Sequence, residues 1–353
     1  MIDDIEILDL MLDDQGNQPS VYRPGPYWTG YASRIAKAIR SEGLVDFRSS
    51  NLIGKGYADT VSLDPFWDIR GRKLRLLKWL TNVSLIRREL ISPYLRQTED
   101  YFDRMKQYRN LHYDAAYGEW FDNILEVFEL PDTLVGSPPD IIEIRGTTIS
   151  RVYFEHLMRI YNFSRHVHFE SARVLFEIGG GFGAGTHLLL HLFPNIRKCV
   201  YLDIPPILYV GTQYLKHFFP SEVIDYRSTR GLEKLSFSDD ESREIICVTP
   251  WQIERLDVGV DVFWNCASFQ EMDLNTVRNY ASNIERCMQR SRDATACLLV
   301  YGTGDSGRTL SPQQITESFG DSFAFEAFDP VVKEGSSGYL LGTARERSGR
   351  KSS

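Results

Sequence analysis

The sequence lacks the features of a disulfide-stabilised, membrane-spanning or nucleic-acid-binding protein. Its five cysteines, an odd number, show no C-x-x-C spacing and lie on or near apolar segments, which is typical of buried thiols in a reducing compartment. No run of about 18 apolar residues occurs, so no membrane-spanning helix is expected. The amino terminus, MIDDIEILDLMLDD, is acidic and lacks the basic segment that begins a secretory signal. A formal net charge of −8 argues against a general nucleic-acid binder. We therefore expect a cytoplasmic protein.

The 353 residues are more than one domain usually contains and suggest about two domains. Residues 1 to about 20 are acidic and predict a frayed helix or an arm, and helical spacing follows over 27–40. A turn-rich connector is predicted over 130–146 and a helix over 147–163. We predict a mostly helical lid, dimerisation and substrate region over 1–165, a cofactor-binding domain over 166–347, and a disordered tail over 348–353.

The second half of the chain alternates strand and helix patterns. Such alternation specifies a mostly parallel sheet covered by helices. The last two strand segments are joined by only Lys-Glu-Gly-Ser-Ser, too short for a crossover helix, so these strands should pair antiparallel. The strand candidates are 173–179, 199–204, 244–249, 260–266, 294–301, 323–330 and 338–345, and the helix candidates between them are 186–193, 206–219, 274–289 and 311–319.

A glycine-rich turn follows the first of these strands. Five glycines occur in the seven residues 179–185, a density that ends a strand and permits positive φ or close approach of the backbone to a ligand. Thr186 is a candidate cap for the next helix, whose amino terminus offers unpaired N–H groups to a polar ligand.

Two cofactors compete for this turn. Gly179-x-Gly181-x-x-Ala184, with Asp203 ending the next strand, fits the dinucleotide fingerprint of an NAD-dependent oxidoreductase. A fold that binds S-adenosylmethionine (SAM) also uses a glycine turn and an acid on the second strand. Glu177 before the turn, the long segment that precedes it and the closing antiparallel hairpin favour SAM. A turn without any ligand is the third interpretation.

Three segments carry a resemblance to a known family. They are FEIGGGFGAGTHLLL (176–190), YLDIPPILYVGTQYLKHFFP (201–220) and, above all, NCASFQEM (265–272), with a weaker match at LVGSPPD (134–140). With these motifs the sequence resembles the bacterial sugar O-methyltransferase family of class I SAM-dependent methyltransferases. The resemblance covers about half of the chain, mainly 134–305. It implies a Rossmann-like seven-stranded sheet with an antiparallel C-terminal hairpin, and O-methylation in secondary metabolism or glycan tailoring.

The resemblance also implies roles by position. The glycines would line the methionine and ribose portion of SAM, Asp203 would bind the ribose hydroxyls, and Ile204 would flank the adenosine. Trp251 and Gln252 would lie along the adenine ring, although Trp251 equally suits a core position. Asn265 would sit near the transferred methyl. The cofactor-binding set is thus Glu177, Gly179, Gly181, Gly183, Asp203, Ile204, Trp251, Gln252 and Asn265.

The acidic segment after the fourth strand is the candidate acceptor site. A hydroxyl acceptor benefits from a general base, and Glu271 is the candidate, with His112 or His156 in reserve. Gln270 and Glu271 are expected to bind substrate, whereas Asp273 suits a helix N-cap. For an amine or guanidine acceptor, the same carboxylate would instead bind a cation.

The remaining candidates lie elsewhere in the chain. Tyr57 and Asp59, in the GKGYAD loop, are predicted lid contacts to substrate. His187 and His191 have helical i,i+4 spacing, but no further ligand set accompanies them, so no metal site is predicted. We expect a homodimeric enzyme that binds neither nucleic acid nor membrane, with a non-catalytic SAM-binding protein as the alternative.

Overall fold

The computed structural model describes residues 1, 3–50, 53, 106–291, 293–301, 310–333 and 337–345. The predictions at Tyr57, Asp59 and the tail 348–353 lie outside the described residues. The described strands are β1 (Ile141–Ile144), β2 (Thr147–Ser150), β3 (Val174–Ile178), β4 (Lys198–Leu202), β5 (Val223–Ile224), β6 (Glu244–Val248), β7 (Val262–Cys266), β8 (Thr295–Tyr301), β9 (Phe323–Phe328) and β10 (Ser337–Ala344). The described helices are α1 (Ile5–Gln15), α2 (Pro26–Glu42), α3 (106–125), α4 (Arg151–Ser164), α5 (Ala184–Leu192), α6 (Pro205–Phe218), α7 (Tyr226–Thr229), α8 (Leu274–Met288) and α9 (Pro312–Glu317).

A single mixed sheet forms the centre of the second half of the chain. Within the described ranges it has eight strands in the order β5-β6-β4-β3-β7-β8-β10-β9. The strands from β5 to β8 pair in parallel, and β10 pairs antiparallel with both β8 and β9. The predicted Rossmann-like, mostly parallel sheet with an antiparallel C-terminal hairpin is confirmed. The two-residue edge strand β5 is an addition that the sequence did not indicate.

The order reverses beside β3, which lies between β4 and β7. Open parallel sheets bind ligands at such a switch point, outside the carboxyl ends of the strands. The central strands are buried on both faces: all of Lys198–Leu202 is buried, as are four of the five residues of β3. This burial explains why their sequences are mostly apolar, with Glu177 and Lys198 as the exceptions.

The prediction of a helix over 147–163 was wrong at its first turn. β1 and β2 form an antiparallel hairpin, with Ile141 opposite Ser150, and α4 begins only at Arg151. Arg145 and Gly146 have φ of 49° and 74°, which is the geometry of a tight hairpin turn. The β-branched residues on either side of this turn favour strand. Ser150 then caps α4, accepting a hydrogen bond from the Tyr153 N–H.

The acidic amino terminus is a docked helix and not a frayed arm. Ile7, Leu8 and Met11 of α1 are fully buried, and α1 and α2 both pack against α6. Asp14, near the end of α1, faces α7, whereas Asp9 pairs with Arg40 of α2. Asp14 accepts hydrogen bonds from Arg230 Nε at 2.7 Å and from the Tyr226 hydroxyl at 2.6 Å. The acidity that suggested a solvated arm is therefore matched by cationic partners on the sheet domain.

Candidate active site

The glycine turn between β3 and α5 is built from positive backbone φ angles. Gly179, Gly181 and Gly183 have φ of 73°, 64° and 92°. A Cβ on Gly179 would lie 2.3 Å from Ser268 Oγ, so the turn also packs too closely for any side chain there. Gly183 is the N-cap of α5, because the helix begins at Ala184. Thr186, predicted to cap this helix, lies inside its first turn instead.

Glu177 lies directly beneath this turn. It is 1% exposed, and its Oε2 accepts a hydrogen bond from the Thr186 hydroxyl, while Oε1 is buried without a hydrogen-bond partner. Cβ atoms on Gly180 or Gly185 would lie 2.6 and 2.8 Å from the Glu177 carboxyl group, so two glycines make room for it. Burial raises the pKa of Glu177 to about 7, although the hydroxyl and backbone N–H of Thr186 oppose this. A carboxylate is thus held under the turn with part of its hydrogen-bonding capacity unused.

Asp203 follows β4 and faces the same turn. Its Oδ2 accepts from the Gly181 N–H at 3.1 Å and its Oδ1 from the Ile204 N–H at 2.7 Å. Burial raises the pKa of Asp203 to about 8; the two N–H groups lower it, and the charges of Glu177 and Glu271 raise it further. Three carboxyl groups from distant parts of the sequence therefore interact at one edge of the sheet.

Asn265 and Ser268 tie β7 to the end of β3. The Asn265 amide donates to the Ile178 carbonyl at 2.9 Å and to Ser268 Oγ at 2.6 Å. Ser268 Oγ itself lies 3.2 Å from that same carbonyl. Asn265 is 2% exposed. The side chain predicted near the methyl group is thus one that fixes the two strand ends on which the site is built.

Gln270 holds the end of β8. Its amide nitrogen donates to the Tyr301 carbonyl at 2.9 Å, and its Oε1 accepts from the Tyr301 N–H at 2.7 Å. The side chain is fully buried. The structure therefore places this predicted substrate-binding residue in the interior, bonded to the end of β8.

Trp251 and Gln252 lie in the short helix Pro250–Arg255 that follows β6. Trp251 is buried, and its indole N–H lies 3.3 Å from the Tyr226 hydroxyl. Gln252 is fully buried; its Oε1 accepts from the Thr249 N–H at 3.0 Å and its nitrogen donates to the Thr229 carbonyl at 3.1 Å. The Gln252 amide is therefore engaged within the chain, and Trp251 belongs to the core as well as to this edge of the sheet.

Glu271 ends the short helix Ser268–Glu271 and is half-buried. Its Oε2 accepts a hydrogen bond from the Trp28 indole N–H at 2.9 Å. Nothing in the residues around Trp28 indicated this contact, because YWTGY reads only as part of an amphipathic helix. Asp273 caps α8, as predicted, by accepting from the Thr276 N–H at 3.0 Å.

The histidines divide into buried and exposed ones. His156 packs against Gly185 with Nδ1 buried and unpartnered, and burial holds the pKa of its imidazole well below 6.5, an effect to which Arg159 adds. His112 is exposed on α3. His187 stacks on Phe218, with 3.7 Å between the ring centroids, and its Nδ1 forms a hydrogen bond with the Tyr153 hydroxyl. Burial lowers the pKa of the His187 imidazole to about 3.

The cysteines and acidic groups form no metal-ligand set in the described part of the chain. No group of three or more His, Cys, Asp or Glu residues there is arranged to hold a metal ion. None of the five cysteines forms a disulfide bond, and four of them are buried. Among the described residues no helix has the length and apolarity needed to cross a membrane.

The residues at this edge fit SAM. The unpartnered Glu177 Oε1 supplies negative charge under the turn, where a cationic amino-acid group would stabilise it. The positive-φ glycines leave the backbone open to close approach, and the Asp203 carboxyl suits the hydroxyls of a ribose.

Comparison with known proteins gives structural likeness at low sequence identity. No protein-family model matches the sequence, and no curated protein matches it. The pyocyanin biosynthetic protein PhzM is 15% identical with a TM-score of 0.38, over 54% of this chain and 55% of that one. The mitomycin 7-O-methyltransferase MmcR is 15% identical with a TM-score of 0.38, and the match covers 55% of this chain and 54% of MmcR. A third similar structure is the magnesium protoporphyrin IX methyltransferase ChlM from Synechocystis PCC 6803, with bound SAM. It is 9% identical with a TM-score of 0.36, and the match covers 55% of this chain and 81% of ChlM. The match thus spans about half the length of PhzM and MmcR.

Proposed function

We propose that the protein is a SAM-dependent methyltransferase that acts on a small polar acceptor, in the first instance a sugar hydroxyl. The observation that supports this most directly is the glycine turn of positive φ with Asp203 beside it, at the switch point of the sheet. The preference for a sugar hydroxyl comes from the family resemblance of the NCASFQEM segment. Action within the cytoplasm and as a homodimer belongs to the same proposal.

Several residues would hold the cofactor. The backbone of Gly179, Gly181 and Gly183 would contact its methionine and ribose portion, and Asp203 would accept hydrogen bonds from the ribose hydroxyls. Ile204 and Trp251 would flank the adenosine. When bound, SAM supplies a methyl group already activated by its sulfonium, so the protein's task is to orient the acceptor and exclude water.

Glu271 is the proposed catalytic base. It lies at the carboxyl edge of the sheet, where its charge interacts with that of Asp203. A carboxylate oxygen of Glu271 would take the proton of the acceptor hydroxyl as the oxygen attacks. His156 is a poor alternative base because it is buried against Gly185, and His112 because it is exposed on α3. Gln270 and Asn265 would act by fixing the segment that presents Glu271.

An amine or guanidine acceptor is the second candidate. The half-buried carboxylate of Glu271 favours it, because a carboxylate can bind a cationic acceptor through charge-assisted hydrogen bonds. In that case Glu271 would orient the cation rather than remove a proton from a hydroxyl.

The decisive experiment combines binding with turnover. Isothermal titration calorimetry should show S-adenosylhomocysteine binding and no NAD binding; the reverse result would refute the proposal. Release of S-adenosylhomocysteine should then be measured with a panel of sugars, amino acids and amines. Glu271→Gln should greatly reduce turnover while leaving cofactor affinity nearly unchanged. Turnover at the wild-type rate in this variant would remove Glu271 from the chemistry.

A further inference from the structure

The N-terminal segment, residues 3–42, reaches the proposed acceptor site from outside the sheet domain. Its first helix packs on α6, and its second begins beside the helix Ser268–Glu271. A Cβ on Gly25, the residue before α2, would lie 3.3 Å from the Glu271 carbonyl oxygen. The Val21 carbonyl accepts from the Thr276 hydroxyl at 3.3 Å, which attaches the segment to α8 as well. The start of α2 is therefore held directly against the residue proposed as the base.

The contact between the two is specific. Trp28 lies in the first turn of α2, and its indole N–H donates to Glu271 Oε2 at 2.9 Å. An indole N–H only donates, so it stabilises the carboxylate form of Glu271 over the protonated form. Both side chains are half-buried, which makes a charge-assisted hydrogen bond stronger than it would be in water.

We propose that Trp28 is a positioning residue for the reaction: it orients the Glu271 carboxylate and keeps it ionised. The inference rests on the proposed function, because it presumes that Glu271 acts on the acceptor. It gives the N-terminal segment, which contacts Glu271, a role in catalysis. The docking of α1 and α2 then assembles the site as well as stabilising the fold.

The charged groups around Glu271 define the expected pH behaviour. On the sheet side its charge interacts with that of Asp203, and two residues further along the chain Asp273 caps α8. The Trp28 N–H donates to the carboxylate of Glu271 and so stabilises its ionised form. A base must be ionised, so the rate falls below the pH at which Glu271 takes up its proton. Loss of the Trp28 donor should move that fall to higher pH.

The test compares pH–rate profiles of matched variants. Trp28→Phe keeps an aromatic ring and removes the donor; it should move the acid limb of kcat up by about one pH unit, which is roughly a tenfold loss on that limb. Trp28→Tyr supplies a hydroxyl donor and should recover part of the loss. Tyr31→Phe removes a polar group three residues further along α2 and should leave the profile unchanged. Affinity for S-adenosylhomocysteine, measured by calorimetry, should be the same in all of them.

A double-mutant cycle separates positioning from a general structural effect. If Trp28 acts through Glu271, then Trp28→Phe should cause no further loss of turnover in the Glu271→Gln background. An equal fractional loss in both backgrounds, or an unchanged acid limb in Trp28→Phe, would overturn the inference. Thermal denaturation identifies any variant that has lost activity because it is unfolded. If Trp28→Phe is unfolded, the pH–rate profile of Trp28→Tyr is compared with that of the wild type instead. A wild-type protein without methyl transfer would refute the proposed function, whereas an active wild type with an unaltered Trp28→Phe profile would refute the role of Trp28 alone.

Discussion

Glu177 should destabilise the ligand-free protein at neutral and alkaline pH, and its replacement by glutamine should reveal by how much. The side chain is 1% exposed, one of its oxygens has no partner, and burial raises the pKa of its carboxyl from 4.5 to about 7. Since the folded state binds this proton more tightly than the unfolded state does, stability falls as the pH rises from about 4.5 to 7. The difference between these values corresponds to about 3 kcal/mol at 1.36 kcal/mol per pH unit.

Glu177→Gln keeps an oxygen that can accept from the Thr186 hydroxyl and removes the buried charge. We expect the free energy of unfolding of the ligand-free protein to rise by about 3 kcal/mol at pH 8 and to change little at pH 4.5. Urea denaturation at the two pH values measures both. The variant should also bind S-adenosylhomocysteine more weakly, because the charge under the glycine turn is gone. A stability gain with a loss of ligand affinity is the signature of a strained functional site.

Glu244→Gln is the matched control for this prediction. Glu244 also lies on a parallel strand of the sheet, but although burial raises its pKa, hydrogen bonds from Ser238 and Lys198 lower it overall. Its replacement should therefore destabilise the protein at pH 8, opposite in sign to Glu177→Gln. If Glu177→Gln were instead destabilising at pH 8, or equally stabilising at both pH values, the assignment of a buried, uncompensated carboxylate would be refuted.

Two other predictions concern cofactor affinity and the amino terminus. Burial raises the pKa of Asp203 to about 8, and ribose hydroxyls bind its ionised form, so calorimetric affinity for S-adenosylhomocysteine should increase between pH 6 and pH 9. Asp203→Asn should abolish this increase and weaken binding at pH 9 by about tenfold or more; a variant with wild-type affinity would exclude the ribose contact. Leu8→Ala, at a fully buried position of α1, should cost about 2–5 kcal/mol of unfolding free energy, whereas Val45→Ala, at a 73% exposed position, should cost almost nothing. Equal stability of the two variants would show that α1 is not part of the core.

Local sequence patterns were sufficient for the sheet and the glycine turn. Apolar runs between helical periods predicted each strand from β3 to β10 except the two-residue edge strand β5, because the central strands are buried on both faces and are therefore mostly apolar. The five-residue link before β10 excluded a crossover helix and so predicted the antiparallel hairpin. The glycines that form a turn at positive φ lie close together in the sequence, so the sequence predicted the turn as well.

Tertiary structure decided what the side chains at the site do. Gln252, Asn265 and Gln270 are polar residues at strand ends, as ligand-binding residues are, yet their amides bond to backbone or neighbouring side chains within the chain. Local pattern cannot distinguish these uses, because the same amide satisfies a ligand or a neighbouring carbonyl equally well. The hairpin at 141–150 was missed because two short strands carry too few residues to show a period.

The contact of Trp28 with Glu271 joins residues 243 positions apart. It depends on α1 and α2 docking on α6, and so on the packing of the whole chain. The sequence by itself determined that a glycine-rich turn follows the first strand of an α/β sheet, because that information is local. Which side chains face the proposed acceptor was decided only when distant segments packed together, since no local period specifies a long-range contact.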